Sequence, residues 1–530
     1  MSSLEEKMFS QSSDLLSYTR TARHLTDLTA RFCRYNTTQR WVDSLASFRL
    51  PRPGFKEPTF PYVSAVPIGQ RAIREKNSRM LYGLTLSRTT PVLRITFLLR
   101  FMIGSSINML ALSTVLLALA ATAFGQDLNG NDTTNGTLPT RGDYIWKPTC
   151  KLPSPKDFMF SMGFDFRDGC VKGTGNPSAF VMFVDFPDAK DEDPDSLKAL
   201  HDKLVPPTVD WYTKSSYNKL KLNIKADTSQ YYRMPKAASE YDWLGRGAGV
   251  WRHDRYIQDA LDAFTAEGTR PPPAKVDVLY VIPTSQAANY ISRSITYYDP
   301  VSTRQGKQVA KKTVTLGAAD WDLIAMTMVH ETGHAFCLPD YYSFDSYTGF
   351  YTGGFGVMSQ TEGMAPDYFA WDKYRLGWIE DKAVDCVLEA GSTKHVLTPL
   401  AVDGGKKAVV IAGSEISALV AEVRTADGLD KKLCAPGVLL TEVGTRTAPG
   451  SGPIRVLDAT PDSLGCVANF DDKNDAALSL TLEGSNSLAY KPVSSFDVPG
   501  WNVTVTLLSV EDSKYTIRVD RQTSVRTDSW

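Results

Sequence analysis

The run "LIAMTMVHETGHAFCLPD" (323–340) constrains this chain more than any other stretch. Helix formers dominate it, and Pro339 bars a helix from continuing. The pattern predicts one helix that stops before Pro339, with Asp320 or Asp322 as its N-terminal cap. On a helix, positions i and i+4 share a face, so His330 and His334 point the same way. The whole chain of 530 residues has only six histidines. Two of them in this register are better explained by a shared metal than by packing.

Glu331 lies one step round from His330, within reach of water held near the two imidazoles. This H-E-x-x-H arrangement is that of zinc hydrolases. Catalytic zinc takes a third protein ligand and keeps one position open. In the extended pattern H-E-x-x-H-x-x-G-x-x-H, that ligand falls six residues past the second histidine. Here the position is Asp340, the first choice; a downstream Glu362 or Glu380 is the rival. The pattern's glycine suits a turn with positive φ, but this chain has Cys337. The cysteine implies a strained or different turn and reads as structural, held in a disulfide. "GVMS" offers Met358 for a methionine turn beneath the metal. An oxyanion donor is also expected, with Tyr341, Tyr342 and Tyr368 near in sequence and no choice among them.

Charge is unevenly spread. Residues 1–100 hold 16 Lys/Arg against 7 Asp/Glu, within a chain whose net charge is −1. The boundary is "MIGSSINMLALSTVLLALAATAFGQ", uncharged from Met102, apolar from Met109 to Ala121 and closed by Ala121-Thr122-Ala123. Arg94 and Arg100 precede it. That is the build of a secretory signal peptide at 102–123. Translation from Met102 or Met109, an uncleaved signal-anchor and an internal cleavage all stay open. Each delivers the downstream part outside the cytoplasm. Glycosylation acceptors at Asn131, Asn135 and Asn502 agree with this. So do six cysteines after the segment: Cys150, Cys170, Cys337, Cys386, Cys434 and Cys466. Spacing favours Cys150–Cys170 and Cys434–Cys466, leaving Cys337–Cys386.

Residues 1–101 show no sustained period and form an unassigned basic extension. A polar linker spans 124–149; its Arg141-Gly142-Asp143 reads as incidental. "SAFVMFVDF" (178–186) and "VDVLYVIP" (276–283) read as buried strands, and "KLKLNIK" (219–225) as a half-buried one. Residues 251–264 read as a helix. The acidic run 188–196 reads as solvated surface, so calcium gains no support from it. After 382, short β-rich runs recur without a helix of useful length, as in an all-β sandwich.

Together these segments resemble the immune inhibitor A-like family of secreted metallopeptidases. "FVMFVDFPD" (180–188) is similar to its first core strand. "DWYTKSSYNKLKLN" (210–223) resembles its helix and following strand. "MVHETGHAFCLPDYY" (328–342) resembles its zinc helix and "GGFGVMS" (353–359) its methionine turn. "AWDKYRLGWI" (370–379) and "LVAEVRTADGLDKKLCAPGVLLTEV" (419–443) follow in the family's order. The resemblance covers about residues 150–450 and departs from the family at Cys337. It implies zinc on His330, His334 and Asp340, Glu331 as base and Met358 beneath.

The expected fold is an α+β zincin, metzincin-like catalytic domain at 150–382, followed by an all-β sandwich-like domain at 383–530. The expected function is a secreted zinc-dependent endopeptidase acting on protein or peptide substrates. No nucleic-acid binding is expected, and membrane contact only through an uncleaved 102–123 anchor. The alternatives are a catalytically inactive zincin-fold binding or adhesion protein, and a zincin with a downstream glutamate as third ligand.

Overall fold

The computed structural model describes residues 147–523, apart from 157, 159, 165–168, 194, 242–252, 266–270, 272, 319–320, 462, 464, 467–470 and 482–491. The basic extension, the 102–123 segment, Asn131, Asn135 and the Arg141-Gly142-Asp143 tripeptide lie outside the described residues.

The apolar run beginning at Ser178 forms strand β1 (Ser178–Asp185). The chain continues through helix α1 (Ser196–Ser215), β2 (Asn223–Ala226), β3 (Tyr232–Arg233) and the short α2 (Ala238–Tyr241). Then come α3 (His253–Thr265), β4 (Val276–Pro283), β5 (Ile295–Tyr297), β6 (Val301–Ser302) and β7 (Gln308–Thr315). These strands make one sheet in the order β2-β1-β4-β7-β5, with β3 beside β1 and β6 beside β7. β2, β1, β4 and β7 are parallel, whereas β5 is antiparallel to β7. A parallel sheet is buried on both faces and reads as a continuous apolar run. Val181, Phe183, Val278 and Tyr280 point into one core with α1. Met182, Val184, Leu279 and Val281 point into a second core with α3.

Two expectations shift slightly. The regular part of "KLKLNIK" begins only at Asn223, because Leu220 makes a single bridge to Gly175. The predicted helix at 251–264 is present as His253–Thr265, with residues 251–252 outside the described ones.

The zinc-motif helix α4 (Ile324–Ala335) follows a 3-10 turn, Trp321–Leu323. Asp322 does not cap it: the N-cap is Leu323, with no side-chain bond. Asp322 is within 3.4 Å of Lys203 on α1 instead, and Asp320 lies outside the described residues. α4 packs on the α1 side of the sheet, with Met328 and Val329 in the first core.

Among the described residues, helix α5 (Ala370–Arg375) precedes nine strands. β8 (Val384–Val387), β10 (Ala408–Ala412), β11 (Ser417–Arg424), β12 (Gly437–Gly444) and β13 (Ile454–Leu457) form one sheet. β9 (Gly391–Leu397), β14 (Ser495–Val498), β15 (Val503–Glu511) and β16 (Lys514–Arg521) form another. Val409, Ile411, Leu419 and Leu440 share a core with Val505, Leu507, Ile517 and Val519 across the two sheets. The other face of β10–β12, through Val410, Val420 and Leu439, joins the core beneath α4 and α5. Position 382 is thus crossed by continuous apolar packing. A buried ion cluster crosses it too: Arg424 meets Glu422 and Asp430, and donates to the carbonyls of Ala365 and Asp367.

The disulfides correct the expected pairing. Cys434–Cys466 forms as expected, but the other two bridges are Cys150–Cys386 and Cys170–Cys337. Short spacing misleads because the chain near Cys170 is drawn to the end of α4, where Val171 N–H donates to Ala335 O at 3.0 Å. Cys150 is drawn instead to β8 and β10, with Sγ 3.2 Å from Val410 O. Asn502 is exposed, in the turn before β15. Among the described residues, no helix is long and apolar enough to cross a membrane.

Candidate metal centre and active site

Helix α4 is anchored along its length before it presents any chemistry. Tyr212 Oη donates to Val329 O at 2.7 Å, and Tyr280 Oη is 2.8 Å from Thr332 Oγ1. These bonds tie α4 to α1 on one side and to β4 on the other.

Its C-terminus is a Schellman turn. Leu338 N–H donates to Gly333 O at 3.1 Å and Cys337 N–H to His334 O at 2.8 Å. Cys337 occupies the left-handed position with φ of 61°. The turn is therefore the one glycine would make, not a different one. A non-glycine residue there is disfavoured locally, and tertiary bonds hold it. Cys337 is bridged to Cys170, and its carbonyl accepts from Arg375 Nη1 at 3.1 Å.

The turn orients the histidines as well as ending the helix. His334 Nδ1–H donates to Leu338 O at 2.7 Å, and His330 Nδ1–H to Val357 O at 2.8 Å. A carbonyl only accepts, so each Nδ1 carries the proton and each Nε2 is the ring's other nitrogen, free to ligate when neutral. Both Nε2 atoms converge on Asp340 Oδ1, at 3.1 Å from His330 and 3.2 Å from His334. The three ligand atoms lie within 4.8 Å of one another, and no other such group occurs among the described residues. Two imidazole nitrogens and one carboxylate oxygen are a fitting donor set for zinc, and the carbonyls behind the imidazoles are the outer partners such a site uses.

Burial opposes charge on His334, but the adjacent Asp340 carboxylate outweighs it and raises the imidazole to about 9. Burial likewise opposes Asp340 ionisation, yet the two imidazoles hold its carboxyl well below the usual range. In the metal-free chain His334 is thus protonated at neutral pH and paired with Asp340. A metal must displace that proton. Zinc binding at pH 7 is expected to release about one proton, with affinity falling about tenfold per unit of acidification below pH 9. Calorimetry in buffers of different ionisation enthalpy counts the protons; a count near zero would contradict this pairing.

Glu331 is buried beside the metal ligands and accepts from Thr296 Oγ1 at 2.8 Å through Oε2. The same hydroxyl lies 2.8 Å from the Glu331 carbonyl. Thr296 is on β5, the end strand of the sheet, so the sheet edge aims the carboxylate. A cleft of about 520 Å³ opens at His330 and Glu331, walled by Arg293, Tyr342, Gln360 and Glu362 among others.

Met358 lies under the helix, fully buried. A Cβ on Gly333 would sit 2.4 Å from Met358 Sδ and 2.6 Å from Tyr368 Oη. Gly333→Ala is expected to cost about 1–3 kcal/mol, as overpacking does. Urea unfolding measures it, and an unchanged midpoint would refute the close fit.

The rival ligands are not brought to the cluster. Glu380 is ion-paired with Lys219 and Lys382, at 3.0 and 2.8 Å. Glu362 is exposed on the cleft wall. Of the three tyrosines, Tyr341 is buried against Asp372 at 2.7 Å, and Tyr368 against Tyr212 at 3.0 Å. Tyr342 alone of the three lines the cleft, with its ring 6.2 Å from that of His330. Thr296, Tyr298 and Gly333 escaped the sequence reading. Tyr298 sits with its ring 6.4 Å from His334. Burial, with Asp340 and Glu331 nearby, pushes both the Tyr298 and Tyr342 phenols up, so both remain proton donors at neutral pH. Gly333 left a readable signal, since a mid-helix glycine costs about 1 kcal/mol and is kept for close packing. Thr296 and Tyr298 left none.

No protein-family profile matches the chain, and no curated protein matches it. Among solved structures it is similar to wild-type OgpA from Akkermansia muciniphila. That match has 13% identity over 63% of this chain and 89% of the other, with a TM-score of 0.24. It is also similar to catalytically inactive OgpA in complex with an O-glycopeptide (glycodrosocin) substrate. There the identity is 12%, over 63% and 88%, with a TM-score of 0.23.

Proposed function

We propose that this chain is a zinc-dependent endopeptidase of the metzincin-like type, with an α+β catalytic part at 150–382 and a β-sandwich part at 383–530. The observation that carries the proposal is one convergence. Two imidazole nitrogens and the Asp340 oxygen meet at one point, and Glu331 of the same helix lines the cleft that opens there.

His330, His334 and Asp340 would hold the ion. When bound, zinc supplies Lewis acidity toward water and toward a peptide carbonyl. Glu331, fixed by Thr296, takes a proton from the attacking water and passes it to the leaving amine. Tyr342, neutral and on the cleft wall, is the donor offered to the developing oxyanion. β5 ends the sheet order, and among the described residues no strand pairs with its outer edge. An extended peptide can add there as a further strand, its backbone bound by hydrogen bonds. Glycosylation, secretion and the signal segment at 102–123 belong to the same proposal and rest on sequence.

The test is casein cleavage by the wild-type chain and by Glu331→Gln. Cleavage at an unchanged rate in the variant would sink the assignment.

A further inference from the structure

We infer that the chain holds a calcium ion at a second site, between the end of β13 and the 3-10 turn Asp472–Asp475, on the carboxylates of Asp458 and Asp475. This inference does not depend on the zinc reading.

Asp475 is fully buried. Its Oδ1 accepts from Ser463 Oγ at 2.8 Å and from Thr460 Oγ1 at 3.2 Å. Its Oδ2 is buried and has no hydrogen-bond partner among the described residues. An unsatisfied carboxylate oxygen is among the costliest groups to bury, and a cation is what it is built to meet. The surroundings add negative charge. Thr460 Oγ1 is 3.3 Å from Asp458 Oδ1, and Ser463 Oγ is 3.1 Å from Asp472 Oδ1. Two hydroxyls thus gather three carboxylates. Among the described residues, no lysine, arginine or histidine forms an ion pair with Asp458 or Asp475. Burial pushes the Asp458 carboxyl up to about 6, helped by Asp472 and Asp475. The same burial, with Asp472 nearby, raises Asp475.

The donors are oxygen only. Nearby sulfur is locked in Cys434–Cys466, and among the described residues no histidine is hydrogen-bonded to the cluster. Oxygen-only sites suit calcium or magnesium and not zinc. A site with two carboxylates and two hydroxyls suits calcium, which accepts irregular geometry, better than magnesium, which demands a near-ideal octahedron.

The position gives the ion a purpose. The turn packs against the wall of the catalytic cleft: Asn474 Oδ1 accepts from Gly354 N–H at 2.8 Å. A Cβ on Gly349 would sit 2.2 Å from Asp471 Oδ2. Neighbouring Thr348 and Gln360 line the cleft. Neutralising Asp458 and Asp475 would fasten this wall to β13.

The experiment titrates calcium chloride alone into the metal-stripped full chain and follows thermal unfolding. The wild-type midpoint should rise by roughly 2–4 °C or more, and keep rising with the logarithm of calcium concentration. Asp475→Asn and Asp458→Asn should each lose the response; the second variant serves if the first does not fold. His334→Ala should keep it, which separates this site from the zinc centre. A wild-type midpoint unmoved by about 10 mM calcium, above the range of weak extracellular sites, would overturn the inference. So would an equal rise in Asp475→Asn, or loss of the rise in His334→Ala.

Discussion

Glu331→Gln is expected to lower kcat/KM for casein by about 10²–10⁴-fold, the usual worth of a positioned acid–base group, while zinc still binds stoichiometrically. Glutamine keeps the shape of the side chain and can still accept from Thr296 Oγ1, which now sits 2.8 Å from Oε2. It cannot take a proton. The three atoms that meet at the metal position, from His330, His334 and Asp340, are untouched. Retained zinc with lost cleavage therefore isolates proton transfer from metal binding. Lost zinc would mean that the variant disturbed the helix, and the Thr296 contact would need another account. A wild-type chain that cleaves no protein across a broad panel would favour the non-catalytic reading, in which the site binds without reacting.

Asp340→Ala is expected to weaken zinc by more than the roughly 10–100-fold that losing an outer partner costs, and to abolish activity with it. Asp340 serves twice. It completes the donor set, and in the metal-free chain it is the counter-ion that raises His334. Without it, burial favours the neutral ring, opposed only by the weaker pull of the Glu331 carboxylate and the Leu338 carbonyl. The variant should then bind what zinc it can with less proton release at pH 7 than wild type. Zinc affinity by competition with a chelator and proton count by calorimetry read the two effects separately. Unchanged affinity would point to a glutamate ligand, against the placement of Glu380 with its two lysines.

How much was legible beforehand differs by residue. His330, Glu331 and His334 could be placed together from spacing because a helix has one geometry, and the i, i+4 relation survives any tertiary context. Asp340 was reachable by counting, since the turn after the helix spans few residues. Strands β1 and β4 were plain because strands buried on both faces must be apolar throughout. Cys337 was the residue that fitted the pattern least. Its conformation is the expected glycine one, with φ of 61°, but a bridge to Cys170 and a bond from Arg375 hold it. Neither partner is near in sequence.

Local chemistry, then, was determined by the sequence alone: one helix, two imidazoles on one face, a carboxylate beside them and a turn that returns another. Such features rest on interactions within a few residues, where backbone geometry leaves few choices. Tertiary structure decided everything that joins distant segments. It chose Thr296 from the sheet edge to aim Glu331, and Tyr342 over Tyr341 and Tyr368 to face the cleft. It paired Cys150 with Cys386 rather than Cys170. It also left Asp475 Oδ2 buried without a partner among the described residues. These contacts depend on which surfaces pack together, and no spacing along the chain encodes that.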